Sequence, residues 1–216
     1  MKRNTPFLWK LVLATICFTA ASAGQALKPV QLPQPQTEGG RPLMQVLRER
    51  KSSREFGPGA LSPQTLSNLL WAAFGINRPD GRRTAPSAMN WQEVSIYVAT
   101  GAGVYIYDAK ANALQPVLAG DFRAATGTQS FVKDAAVNLI YVSDLSKTGG
   151  AASSEAEMYT AADVGFIAQN VYLYCASEGL ATVVRASIDK PELAKRLNLQ
   201  SHQKIILAQS VGYPKK

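Results

Sequence analysis

Glu93-Val94-Ser95-Ile96-Tyr97-Val98-Ala99-Thr100, then Gly101-Ala102-Gly103, then Val104-Tyr105-Ile106-Tyr107-Asp108, is the stretch on which the fold turns. Val94, Ile96 and Val98 recur at every second position, the period of a strand, and the pattern resumes after the glycine turn. The reading is an antiparallel hairpin. Because a strand and not a helix follows Gly101-Ala102-Gly103, these glycines are not a dinucleotide fingerprint.

Working outward, Val137 to Val142 is a short apolar run bounded by polar residues and reads as a third strand. Ala181 to Ile188 and Lys204 to Val211 read as two more, with a short helix over Pro191 to Leu197 between them. From Ala156 to Ser177 the only helix breaker is Gly165, and apolar residues go nearly all the way round, which marks a buried helix. Small residues at Ala161, Gly165, Ala168 and Cys175 would let another helix approach it closely. Upstream, Ser62-Pro63 is an N-cap followed by a first-turn proline, Leu66, Leu69, Leu70 and Ala73 continue the helical stripe, and Gly75 is a stop. Pro42 opens an earlier helix, with Leu43, Val46 and Leu47 at helical spacing, expected to run to about Ser53. Asp144 to Glu155, rich in serine, glycine and alanine, is a loop able to serve as a lid. Hairpin strands first and a long helix in the middle argue for an α+β fold, with helices packed around an antiparallel or mixed sheet.

The first segment reads as an address. Met1-Lys2-Arg3 and Lys10 form a basic region, Leu11 to Ala20 a short apolar run, and Ala21-Ser22-Ala23 a cleavage site of small residues. The run is shorter than the roughly 20 apolar residues of a spanning helix. Residues 1–26 are therefore expected to be a signal peptide, leaving no stable membrane anchor and a periplasmic or secreted protein. Residues 27–40, with their prolines and glutamines, read as an extended arm or linker, and 41–216 as one folded domain. Losing Lys2, Arg3 and Lys10 lowers the formal charge from +8 to +5, and the remaining charges form no long basic block, which argues against nucleic acid as a partner. Cys17 leaves with the signal, so Cys175 is alone and no intramolecular disulfide is expected.

Two clusters carry chemistry. Arg50 falls on or beside the apolar stripe of the first helix, and a partly buried guanidinium needs an anion. Lys51, Ser52 and Arg54 add donors suited to phosphate oxygens. The plain alternative is a basic helix C-terminus complementing its own dipole. Arg83-Thr84-Ala85-Pro86-Ser87-Ala88-Met89-Asn90-Trp91-Gln92 packs hydroxyls and side-chain amides into a turn before the hairpin, groups able to address a planar heterocycle. Its plain alternative is a proline turn whose Ser and Asn satisfy their own backbone.

Arg50-Lys51-Ser52-Ser53-Arg54-Glu55-Phe56 resembles the arginine-basic-serine-x-arginine-x-aromatic signature that opens the FMN-dependent nitroreductase family. Pro86-Ser87-Ala88-Met89-Asn90-Trp91-Gln92 is similar to that family's proline-serine-small-x-asparagine-x-glutamine turn. Gln169-Asn170 with Glu178-Gly179-Leu180-Ala181-Thr182-Val183-Val184 resembles its third block, and Gly212-Tyr213-Pro214 its end. Leu61 to Asn77 and Gly103 to Asp108 are most similar to the subgroup of the azoline-oxidase type. The resemblance implies a central, mostly antiparallel sheet flanked by helices, in a domain-sharing homodimer binding FMN. Arg50 and Ser52 would hold the phosphate or ribityl chain, with Arg54 beside them and Lys51 near the ring or chain. Pro86, Ser87, Asn90 and Gln92 form the turn that reaches the flavin from the partner subunit. The backbone of Glu178, Gly179 and Leu180 would line the ring, and Lys215 or Lys216 would neutralise the phosphate. Two departures stand out: Ala181 replaces the usual glycine after Gly-Leu, and Glu93-Val94 replaces the common proline-tryptophan.

The implied function is a flavin-dependent oxidoreductase passing hydride by a ping-pong mechanism from NAD(P)H or another donor to a nitroaromatic or quinone, with the chemistry on the flavin and no catalytic side chain. An azoline-type dehydrogenase or oxidase acting on a peptide or other small substrate, and a flavin-binding protein without turnover, are the alternatives. His202 is the only histidine and no nucleophile-elbow motif is present, which argues against a Ser-His-Asp hydrolase. No Cys/His cluster suits a metal.

Overall fold

The computed structural model describes Met1, residues 26–150 and residues 153–216. Nearly all of the expected signal peptide, 1–26, lies outside the described residues, as do two residues of the Asp144–Glu155 loop.

Among the described residues seven antiparallel strands form one sheet: β1 (Val30–Gln31), β2 (Val94–Ala99), β3 (Gly103–Asp108), β4 (Ala113–Ala119), β5 (Val137–Asp144), β6 (Ala181–Arg185) and β7 (Gln203–Gly212), in the order β1-β4-β3-β2-β5-β7-β6. Among the described residues four α-helices accompany it: α1 (Leu43–Glu49), α2 (Pro63–Phe74), α3 (Ser153–Glu178) and α4 (Lys190–Arg196). The α+β class with an antiparallel sheet flanked by helices is therefore as the sequence indicates. The hairpin is β2 and β3, in register from Tyr97 opposite Ile106 to Ala99 opposite Val104.

Alternation places the two faces of the central strands in two cores. Val94, Ile96, Val98, Leu139 and Tyr141 meet α2 and α3, whereas Tyr97, Ala99, Ile140 and Val142 meet Leu193 and Leu197 of α4 and its end. The sheet is thus covered on both faces, the three-layer solution for strands without a wet side. The α2 helix begins as its sequence demands: the Ser62 hydroxyl accepts the Thr65 N–H at 3.0 Å, and Pro63 occupies the first turn. It ends at Gly75, where a Cβ would run into Trp71.

Several elements differ from the sequence reading. The α1 helix stops at Glu49, not near Ser53, because Arg50 turns extended (φ −55°, ψ 122°) and Ser53 N–H donates to the Thr182 carbonyl at 2.9 Å. Tertiary pairing along β6 overrides the basic run that reads as a helix end. The α3 helix is not buried all round. Val164, Ile167, Ala168, Val171 and Cys175 enter the core, while Met158, Ala161, Ala162, Gly165 and Phe166 are exposed in one chain. The β4 strand was not legible: Pro116 interrupts its pattern, and the ladder shifts register opposite Val104 and Tyr105. Strand β6 ends at Arg185, three residues short of Ile188.

Residues 27–40 run along the body. Val30 and Gln31 pair with Leu114 and Ala113, Leu32 is 3% exposed, and Ser67 Oγ and Asn112 Nδ2 donate to the Pro33 carbonyl at 2.5 and 2.7 Å. Because Leu32 fills core space and brings its backbone pairing with it, Leu32→Ala is expected to cost about 2–5 kcal/mol in urea denaturation. A loss below about 0.5 kcal/mol would show that the arm contributes nothing to the fold.

Candidate functional site

Two polar assemblies sit at different levels of α3. At its C-terminal end the helix stops where Gly179 turns left-handed (φ 70°), and Leu180 N–H donates back to the Cys175 carbonyl at 2.8 Å. Beside this end the chain from Arg50 to Phe56 runs extended. Phe56 bridges to Pro214, Gly57 N–H donates to the Tyr213 carbonyl at 2.8 Å, and a Cβ on Gly57 would sit 3.0 Å from the Pro214 carbonyl oxygen. The C-terminal segment is thereby drawn alongside the basic stretch. A cavity of about 610 Å³ opens here, lined by Lys51, Ser53, Glu55, Tyr172, Gly179, Leu180, Thr182 and Lys215.

Alternation divides the basic stretch. Lys51 and Ser53 line the cavity, while Arg50 lies over the Tyr172 ring, 5.1 Å from its centroid, and the Ser52 and Tyr172 hydroxyls share a hydrogen bond at 2.7 Å. Tyr172 also accepts the Val184 N–H at 3.0 Å, so it anchors Ser52 to β6. Arg54 and Glu178 are exposed outside the lining. Arg41 braces the whole end: its N–H and Nε donate to Ser177 Oγ and the Ser177 carbonyl at 3.0 and 2.9 Å, and its Nη atoms reach the Ala176 carbonyl and Glu49. One guanidinium thus caps α3 and ties α1 to it.

The second assembly is the turn Pro86 to Gln92. Met89, Asn90 and Gln92 all have positive φ (49°, 56° and 46°), a conformation that costs of order 1 kcal/mol for each non-glycine residue unless its surroundings impose it. They do so here. Gln92 Oε1 accepts from Arg83 Nε at 2.7 Å, and Gln92 Nε2 donates to Asn90 Oδ1 and the Gly81 carbonyl at 3.0 and 3.2 Å. Ser87 Oγ accepts the Gln92 N–H at 2.9 Å, and Ala88 N–H donates to Asp163 Oδ2 at 2.9 Å. Trp91 packs edge-on against Tyr159. Gln92 and Ser87 are consumed in holding the turn, whereas Met89 and Asn90 stand exposed at its tip. Pro86, Ser87 and Asn90 line a smaller cavity of about 400 Å³.

The structure does not bring the two assemblies together within one chain. Tyr172 belongs to the first and Asp163 to the second, nine residues apart on α3, or about 14 Å along its axis. Between and beside them lies the exposed face with Met158, Gly165 and Phe166, and Leu43, Met44 and Leu47 of α1 are exposed as well.

Sequence reasoning missed Tyr172, Thr182, Arg41 and, behind the turn, Glu93 and Asp163. Glu93 is fully buried and Asp163 2% exposed. Glu93 Oε2 accepts from Ser87 Oγ at 3.3 Å, while its Oε1 has no hydrogen-bond partner among the described residues. Burial raises both carboxyl groups above their ordinary values, and the charge of Asp163 raises Glu93 further. A carboxylate opening an apolar strand and another on the apolar run of α3 were the signals available. Elsewhere, Cys175 is fully buried, with burial pushing its thiol up, and His202 is exposed 3.6 Å from Asp144. Among the described residues no group of three or more His, Cys, Asp or Glu could hold a metal, and no helix is long and apolar enough to cross a membrane.

An antiparallel sheet covered on both faces, with helix-end and turn assemblies at different levels of one long helix, makes this an α+β domain with two candidate binding regions. The chain belongs to the Nitroreductase family, whose model matches residues 47–213. It is similar to a candidate nitroreductase of Methanocaldococcus jannaschii, 29% identical over 175 residues covering 76% of this chain and 88% of the relative. Among solved structures it is similar to a candidate nitroreductase of Ralstonia eutropha JMP134, with 39% identity, a TM-score of 0.85, and coverage of 89% of this chain and 92% of the other. The fold is shared at lower identity with the Vibrio harveyi NADPH:FMN oxidoreductase complexed with NAD+ (20% identity, TM-score 0.61, 81% of this chain and 69% of that one). It is likewise shared with a chain of the E. coli microcin synthetase McbBCD complex (19%, TM-score 0.67, 96% and 85%).

The carboxyl pair makes a pH prediction. Both folded-state values are raised above the ordinary 4.5 and 3.8, so the stability that the protonated pair contributes is complete below those values. It is lost as pH climbs through the raised ones. Glu93→Gln should therefore gain on the wild type in thermal or urea stability as pH rises from about 4 to neutrality and above. Parallel stability curves for the two proteins would remove the pair from this role.

Proposed function

We propose that this chain is an FMN-dependent oxidoreductase that moves hydride from a reduced nicotinamide or another donor to a nitro- or quinone-type acceptor, as a homodimer with two shared sites. The observation that carries the reading is the separation of its two polar assemblies by an exposed apolar helix face. A two-fold partner packed on that face would set the Asn90 turn of one chain against the helix-end cavity of the other. Exposed Leu43, Met44, Leu47, Met158 and Phe166 supply apolar area of the kind that permanent interfaces bury.

The donor set of the helix-end cavity fits FMN. Its volume falls within the roughly 300–1,000 Å³ of small-molecule sites. Lys51 and Lys215 line it, Arg50 and Ser52 stand at its Tyr172 wall, and Arg54 is exposed nearby, a concentration of cations and a hydroxyl suited to a phosphate. Gly179 and Leu180 bring backbone into the lining with no Cβ at Gly179 to obstruct a planar ring. When bound, FMN would supply the hydride chemistry. The chain's own work is then to hold the phosphate through Arg50, Lys51 and Lys215, to orient the ring with the Gly179–Leu180 backbone, and to present the Asn90 amide from the partner. The buried Glu93–Asp163 pair keeps that amide's turn in its left-handed conformation. No side chain needs to act as nucleophile or general base, which accords with the single, exposed histidine. Export to the periplasm or beyond belongs to the same proposal and leaves the donor open to species other than free nicotinamides.

Protein purified from its natural compartment should be yellow and release FMN, not FAD, on denaturation, and its flavin absorbance should bleach anaerobically with a competent donor. Arg50→Ala should weaken FMN binding by about 2 kcal/mol, the low end for truncating one partner of a charge pair, since Arg50 keeps some solvent contact. A colourless protein that takes up no added FMN contradicts the proposal.

A further inference from the structure

Ile76 to Arg83 forms a tight hairpin loop directly before the Pro86–Gln92 turn. Ile76 bridges to Arg83, Asn77 N–H donates to the Arg82 carbonyl at 3.2 Å, and Gly81, at φ 81°, closes a β-turn by donating to the Arg78 carbonyl at 3.0 Å. Thr84 N–H adds a bond to the Gly75 carbonyl at 2.9 Å. The loop is therefore fixed, and it displays three guanidiniums, those of Arg78, Arg82 and Arg83, around the 400 Å³ cavity that Met89 and Asn90 also line.

Their charge is poorly compensated. Asp80 pairs with Arg82 at 3.1 Å, which leaves Arg78 and Arg83 without a salt bridge among the described residues. Arg83 is half-buried against the Phe74 ring, 5.0 Å from its centroid. It donates through Nε to Gln92 and through Nη1 to the Phe74 carbonyl at 3.1 Å, and its Nη2 makes no hydrogen bond among the described residues. Burial lowers its affinity for the proton, with Asp108 the only carboxylate countering that effect. Arg78 Nη2 donates to the Arg83 carbonyl at 3.2 Å, so two guanidiniums without a salt bridge sit on a hydrogen-bonded hairpin and line a pocket with an exposed thioether and an amide, which matches a ligand that carries an oxyanion beside an apolar ring.

We propose that Arg78 and Arg83, with Arg82 at the rim, form a subsite for the carboxylate or phosphate of the molecule that exchanges electrons at the adjacent Asn90 turn. Anionic acceptors or donors are then the preferred substrates. The role as a substrate subsite rests on the flavin reading, whereas oxyanion binding by the loop does not.

Two nearly isosteric nitroaromatics, 4-nitrobenzoate and 4-nitrobenzamide, test it. The flavin-loaded protein should show a kcat/KM about tenfold higher for the carboxylate at low salt, the scale of one charge-assisted hydrogen bond. About 0.5 M NaCl should erode the preference, since the screening length falls to a few ångströms. Arg78→Glu, an exposed substitution, should bring the ratio to one or below. Calorimetric titration of 4-nitrobenzoate into the purified protein, flavin-loaded or not, should show binding that Arg78→Glu weakens at least about tenfold. Competition by benzoate against inorganic phosphate then tells which oxyanion the subsite favours. A flavin-loaded protein that reduces both compounds with equal kcat/KM, insensitive to salt and to Arg78→Glu, overturns the subsite and leaves the flavin reading standing. If the protein holds no flavin, arginine-dependent titration still supports the anion site, and its absence overturns it. Should Arg78→Glu fail to fold, the salt dependence of the wild-type ratio and titration decides alone.

Discussion

The α3 helix is the constraint around which the molecule is arranged. Its 26 residues extend about 39 Å, longer than any strand of the sheet it covers. One side must fill the core against β2, β6 and β7, and it does so with Val164, Ile167, Val171 and Cys175. The other side keeps Met158, Ala161, Gly165 and Phe166 facing outward. A helix that is apolar on both sides has more area to bury than one chain supplies, and the two polar assemblies lie at different levels along it. The proposed symmetric pairing would answer both facts at once: it would cover the apolar face and let one chain's turn meet the other's cavity.

Each assembly is held by contacts distant in sequence. At the helix end, Arg41 reads the last carbonyls of α3 and binds Glu49, while Tyr172 fixes Ser52 to the backbone of β6. At the turn, a backbone with three left-handed non-glycine residues is locked by Arg83 and Gln92 above and by Glu93 and Asp163 below. The hydrogen bonds around the turn impose this strained backbone, and Gln92 Nε2, donating to Asn90 Oδ1 at 3.0 Å, holds the Asn90 side chain in its exposed position.

How much of this was legible in the sequence depended on whether the signal was local. The Ser62-Pro63 cap, the alternation of Val94, Ile96 and Val98, and the Gly101–Gly103 turn are local and gave α2 and the hairpin correctly. The end of α1 was misjudged because Arg50 to Arg54 looks like a helix terminus, and only the bond from Ser53 to Thr182, far along the chain, draws it straight. Strand β4 hid behind Pro116, and β1 is two residues long. At the candidate site, the motif blocks fall on the two polar assemblies, but which side each residue faces is a matter of alternation and packing. Lys51 and Ser53 enter the cavity where Arg50 and Ser52 lean on Tyr172. The Glu93–Asp163 pair was invisible because it joins a strand to a helix, and the pairing exists only in the fold.

The central claim, that each site is built from two chains, is tested most directly by subunit mixing. Arg50→Ala and Asn90→Ala each damage a different half of the proposed site. A heterodimer of one with the other would hold one intact site and one doubly damaged one, so mixing the two inactive proteins, with exchange verified by mass spectrometry of differently tagged chains, should restore up to about half of the wild-type activity per heterodimer. If verified heterodimers stay inactive, each chain builds its own site and the shared arrangement is wrong.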